Sequence, residues 1–156
     1  MPAWFDIMSL AWHVSPNGPE DEEGLEKSKA LIDKLIENEI KEGINSSRII
    51  LGGVSQGGAM ALYTTLTNQH KLGGMIILSS WLPLRNKFPG SVVGTNTDTP
   101  CFQAHGDSDR VVPYTLGQLT STILKGFLTN HEFKTYKGMG HTVSVSYTHL
   151  TLPTKA

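Results

Sequence analysis

Three short stretches of this chain bring together residue types that can do nucleophilic chemistry. Gly53-Val54-Ser55-Gln56-Gly57 has the form G-x-S-x-G. Alone the pentapeptide is a weak signal; its neighbours give it weight. Ile49-Ile50-Leu51 directly before it is a short apolar run, and small residues follow at Gly57, Gly58 and Ala59. A strand, a sharp turn and a helix built in that order form a nucleophile elbow. Glycines on both sides let the turn close around a strained serine, whose hydroxyl then stands clear of the sheet. The N–H of Gln56 falls at the helix N-terminus, where it can donate to an oxyanion.

A serine nucleophile needs a base, and the base needs an acid to orient it. In elbow-bearing folds the chain order is Ser, acid, His, each just beyond a strand. Gly106-Asp107-Ser108-Asp109 follows an apolar stretch that ends at His105, and His141 follows Gly138-Met139-Gly140. Each of these has a plainer reading. Ser55 could cap a helix, either aspartate could shape an Asx turn, and His141 could be a surface loop residue. The ordered recurrence of all three just past strand ends favours chemistry. Spacing does not choose between Asp107 and Asp109. The other histidines, His13, His70, His105, His131 and His149, show no metal-ligand spacing and read as structural or solvated.

The elements that must position these residues are legible from periodicity. Leu25, Ile32, Leu35, Ile36 and Ile40 recur at helical spacing behind Glu20-Asp21-Glu22-Glu23, whose acids suit a first helical turn. They predict a helix over Glu20–Glu42, stopped by Gly43. Arg48–Gly52 reads as a strand covered on both faces, Gly53–Gly58 as a tight turn and Ala59–Leu66 as a helix. Strands follow at Met75–Leu78, Cys101–His105 and Glu132–Lys137, with a helix over Tyr114–Phe127. Asn45-Ser46-Ser47 has the form of a glycosylation sequon but reads as a turn. Alternating strands and helices give an α/β class with a mainly parallel sheet.

Composition bounds the rest. A chain of 156 residues is expected to form one domain with a real core. It is 38% hydrophobic and 17% charged, which argues against charge-driven disorder. With 13 basic and 14 acidic side chains the net charge is −1, and no basic face for nucleic acid is in view. No apolar run reaches membrane-spanning length. Cys101 is the only cysteine, which excludes an internal disulfide and a multi-thiolate zinc site. Trp4, Phe5, Ile7, Met8, Leu10 and Trp12 crowd the first residues without a period and suggest a core or a pocket wall. Thr142–Ala156 carries a single charge, at Lys155, and reads as loop, disorder or a foreign extension.

Set out along the chain, five stretches resemble the acyl-protein thioesterase/lysophospholipase group of α/β-hydrolases. They are Pro2–Asp6, Arg48–Gly58, Ser80-Trp81-Leu82-Pro83-Leu84, His105–Asp109 and Tyr136–His141. The resemblance covers about residues 1–143, leaving 144–156 as a tail outside the domain. It implies Ser55 as nucleophile, Asp109 rather than Asp107 as acid, His141 as base and the Gln56 N–H as an oxyanion donor. It implies hydrolysis of S-acyl thioesters on palmitoylated proteins, and of lysophospholipid or simple carboxylic esters, in the cytoplasm, with transient contact at membrane surfaces. No metal or organic cofactor is implied. The Trp81-Leu82 pair is a candidate wall for the acyl chain, with core packing an equal alternative.

Two departures from the family pattern set a second expectation. Members begin upstream, with strands and a His-Gly-Leu-Gly-Asp-type loop that donates a second oxyanion N–H, and nothing of that kind precedes Met1 here. After His141 the family continues into a closing helix that the Thr-rich tail does not match. The alternative to an active hydrolase is therefore a truncated α/β-hydrolase, catalytically weak or silent, that at most binds partners. In that form the strand before Ser55 has an open apolar edge.

Overall fold

In a computed structural model the described residues are 3–8 and 18–142. Leu10, Trp12, His13, His149 and the expected tail over 144–156 lie outside them. The element order is α1 (Glu22–Lys41), β1 (Ile50–Val54), α2 (Gln56–Leu66), β2 (Gly74–Leu78), β3 (Cys101–Gly106), α3 (Tyr114–Lys125) and β4 (His131–Tyr136). The four strands form one sheet in the order β1-β2-β3-β4, and every pairing is parallel. The expected α/β class with a parallel sheet is what forms.

The sheet faces follow from the period of two. Met75, Ile77 and Cys101 meet Ala61, Leu62 and Leu66 of α2 and Leu124 of α3 in the main core, so both helices cover one face. The intervening residues, Leu78, Phe102 and Ala104, gather with Met139 on the other face. Helix α2 is buried from Gly58 to Leu66 because α1 closes over its outer side through Leu25, Met60 and Tyr63. Cys101 lies within this core, and burial pushes its thiol up to about 12.

Several sequence expectations shift. Helix α1 starts at Glu22 rather than Glu20, because the Asp21 side chain accepts from the Gly24 N–H and caps it. Gly43, at φ 94°, follows its end. The Asn45 sequon is a turn: its side chain accepts from the Ser47 N–H and caps a single 3-10 turn. The first strand is displaced by two residues. Ser46–Arg48 takes that 3-10 turn, and the strand instead runs through Gly52 and Gly53 to Val54. Nor is this strand covered on both faces. It is the edge of the described sheet, with Ile50 and Val54 about 40% exposed. Leu31 and Leu35 of α1 are also exposed. An apolar run tells of a strand, but which neighbours cover it is a property of the whole sheet.

The turn expected over Gly53–Gly58 shrinks to one residue, Ser55, with Gln56 already helical. Such a junction needs room that only glycine leaves. A Cβ on Gly53 would lie 2.3 Å from the Gly57 carbonyl group, and one on Gly58 would lie 2.8 Å from the Gly53 oxygen. Gly53→Ala is accordingly expected to destabilise the fold by about 3 kcal/mol or more, since backbone on both sides must shift. Urea unfolding at neutral pH checks it. A change under about 1 kcal/mol would mean that the junction is not tightly packed.

Candidate active site

Ser55 occupies φ 54°, ψ −124°, a conformation that costs a non-glycine residue free energy. Its surroundings hold it there. The Ser55 N–H donates to the Leu78 carbonyl at 2.9 Å, which continues the β1–β2 ladder by one rung. The Ser55 carbonyl accepts from the Ala59 N–H at 3.1 Å and from Ser80 Oγ at 2.6 Å. Ser80 thus fastens the elbow from the end of β2, beside Ser79, which is itself at φ 47°. Sequence reasoning gave neither serine a role. The available signal was only a Ser-Ser pair just after a strand. Gln56 opens α2, so its N–H is among the first-turn donors with no partner inside the helix.

Asp109 and His141 meet. His141 Nδ1 lies 2.8 Å from Asp109 Oδ2, while Asp109 Oδ1 accepts from the N–H groups of Val111 and Val112 at 2.9 Å each. Asp109 is 5% exposed. With the carboxylate oxygen as acceptor, the hydrogen bond runs from His141 Nδ1–H to Asp109 Oδ2. Asp107 is elsewhere. It is exposed, and its carboxylate accepts from the Gly138 N–H at 2.7 Å. Of the two aspartates left open by spacing, the structure places Asp109 at the histidine.

The loops bearing this pair are zipped together. The Asp107 N–H donates to the Tyr136 carbonyl and the Ser108 N–H to the Met139 carbonyl, both at 3.1 Å. Gly106 makes the approach feasible, because a Cβ there would fall 2.1 Å from the Met139 oxygen. Below them His105 is fully buried. Its Nε2 donates to the Val112 carbonyl at 2.9 Å and lies 3.5 Å from Asp109 Oδ2. Burial holds its pKa below the ordinary imidazole value, so it stays neutral beneath the carboxylate. The sequence expectation for His105, structural or solvated, resolves to structural.

Trp81 and Leu82 are core residues, at 2% and 1% exposure. Trp81 packs with Ala59, Val112 and Leu116, and meets Phe5 edge-on at 6.3 Å. Leu82 belongs to the main core, and its N–H donates to Thr120 Oγ1. Among the described residues no cluster of three or more His, Cys, Asp or Glu could hold a metal. None of the described helices is long and apolar enough to cross a membrane.

The sequence matches the Phospholipase/Carboxylesterase family over residues 1–150. The chain belongs to that family. It is 46% identical over 144 residues to acyl-protein thioesterase 1 of Neurospora crassa, covering 90% of this chain and 59% of that protein. With acyl-protein thioesterase 1 of Kluyveromyces lactis it shares 38% identity over 148 residues, covering 93% of this chain and 64% of the relative. The chain thus spans about three-fifths of the length of these curated relatives. Among solved structures, Arabidopsis thaliana SOBER1 superposes with a TM-score of 0.84 at 32% identity, over 93% of this chain and 69% of that one. Zea mays acyl-protein thioesterase 2 gives 0.78 at 27% identity, over 94% and 68%.

Two outcomes are expected. Asp109→Ala leaves the buried Val112 N–H without its acceptor and should cost about 2–3 kcal/mol, whereas Asp107→Ala should cost about 1 kcal/mol or less. Paired urea titrations check the contrast, and equal costs would contradict it. The second concerns acid. Burial lowers the His131 pKa from 6.5 to about 4 and lowers that of His105 as well. The unfolded chain therefore takes up these protons first, and stability should fall as pH drops from about 6.5 toward 4. His131→Asn should flatten that slope in melting curves taken across the window; an unchanged slope would contradict the assignment.

Proposed function

We propose that this chain is built as a serine hydrolase that cleaves acyl bonds through an acyl-enzyme. The substrates are S-acyl thioesters on palmitoylated proteins, and lysophospholipid or simple carboxylic esters. The observation that carries the reading is the strained Ser55 backbone at the strand–helix junction, in a chain whose buried Asp109 orients His141. The two named thioesterase relatives support the substrate class. A cytoplasmic setting goes with that class.

In this mechanism His141 Nε2 takes the Ser55 proton as Oγ attacks the acyl carbonyl carbon. Asp109 accepts the Nδ1–H and stabilises the imidazolium. Negative charge gathers on the former carbonyl oxygen, beside the Gln56 N–H. A single such donor is worth about 10²–10³ in kcat. The C–S or C–O bond then breaks, and the departing thiolate or alkoxide takes a proton from His141. Water, deprotonated in turn by His141, attacks the acyl-serine ester and frees the acid and the serine.

A fluorophosphonate probe tests the nucleophile directly. The wild-type chain should be labelled on Ser55, and Ser55→Ala should not be labelled. Asp109→Asn, which presents the wrong partner to Nδ1–H, should slow labelling by about 10³–10⁴. Equal labelling of wild type and Ser55→Ala would overturn the reading. A folded wild-type chain that takes no label would favour the silent-fragment alternative.

A further inference from the structure

The residue after the candidate nucleophile has a side chain that its oxyanion role leaves unused. The Gln56 carboxamide makes two hydrogen bonds to a backbone more than fifty positions earlier. Its Oε1 accepts from the Trp4 N–H at 2.9 Å, and its Nε2 donates to the Phe5 carbonyl at 2.7 Å. A primary amide satisfied on both ends by consecutive residues imitates a strand partner and fixes position and direction together.

Other contacts tie down the same strap. Ser28 Oγ donates to the Trp4 carbonyl, and the Asp6 N–H donates to Asp21 Oδ2 at 2.7 Å. Phe5 turns inward against Trp81 and, through the second apolar cluster it joins, against α1 and α2. Trp4 does not turn inward. It is 45% exposed, and its indole Nε1 lies 3.9 Å from where a Cβ on Gly57 would stand. The strap therefore holds an exposed indole against the first turn of α2, two residues from Ser55.

We propose that the Gln56 side chain is a positioning residue that clamps the Trp4–Asp6 strap to the elbow, so that Trp4 forms one wall beside Ser55 and selects among acyl groups by size. The proposal rests on Ser55 being the nucleophile. The clamp itself does not, and the two are read separately. One residue would then serve both ends of the reaction: its N–H faces the oxyanion and its carboxamide sets the wall.

Gln56→Met keeps the backbone N–H and the side-chain length but removes both amide bonds. Losing two hydrogen bonds, one with each polar group, should speed amide exchange in the peptide spanning the strap by about tenfold or more. Hydrogen-exchange mass spectrometry reads this without turnover. In hydrolysis, the ratio of kcat/KM for p-nitrophenyl octanoate over acetate should drop by about fivefold, whatever the common loss in rate. A merely weakened fold lowers both substrates alike and leaves the ratio in place. Trp4→Ala should move the ratio in the same way, and the double variant should go no further. Gln56→Glu keeps the acceptor for Trp4 and lacks the donor to Phe5. It should give an intermediate effect, and it stands in should the methionine variant not fold. Unchanged strap exchange in both Gln56 variants overturns the clamp, and an unchanged substrate ratio overturns the wall. Hydrolysis that survives Ser55→Ala overturns the nucleophile reading on which the wall depends.

Discussion

The geometry of the site hangs on one close approach, where the end of β1 and the start of α2 run into each other at Ser55. The Gly53 and Gly57 backbones touch at a distance no side chain would allow, and Ser55 takes a left-handed conformation between them. That strain is affordable because it is distributed over strong local bonds: Leu78 accepts its N–H, and Ala59 and Ser80 donate to its carbonyl. Together these bonds hold the serine in a conformation that a non-glycine residue seldom adopts. The chemistry proposed for the site is thus a consequence of backbone packing before it is a matter of side chains.

The acid–base half depends on a second approach of the same kind. Gly106 lets the loop after β4 lie against the loop after β3, and the backbone bonds between them deliver His141 to Asp109. His105, neutral and sealed beneath, occupies the space under the carboxylate and holds the Val112 carbonyl. Asp109 is left with two backbone donors on one oxygen and an imidazole on the other. A carboxylate supplied in this way is held in place by three hydrogen bonds on its two oxygens.

Much of this was legible in the sequence. Short apolar runs marked β2 and β3, alternation marked β4, and helical spacing with acidic and glycine ends marked α1. The elbow and the order Ser, Asp, His carried the candidate site. What was not legible depended on three dimensions. Asp107 and Asp109 are equivalent in a linear motif. Only the loop path separates an exposed carboxylate that pins Gly138 from a buried one that meets His141. The two-residue shift of β1 arose because Gly53, a poor strand former by propensity, and Val54 after it are recruited by pairing with Ile77 and Leu78. Ser80 and the Gln56 carboxamide bond to backbone atoms far along the chain, and no spacing rule announces such bonds. The core placement of Trp81 and Leu82 likewise follows from how α2 and α3 share one sheet face.

The central claim is that backbone strain presents the Ser55 hydroxyl to a base and an oxyanion donor at once. A crystal structure of the chain after reaction with a small alkyl phosphonate tests it most directly. The account predicts phosphorus bonded to Ser55 Oγ, Ser55 still at positive φ, one phosphoryl oxygen within hydrogen-bond distance of the Gln56 N–H, and His141 Nε2 facing the adduct. Phosphorus on another residue, or a phosphonylated Ser55 relaxed to negative φ with His141 turned away, would contradict it.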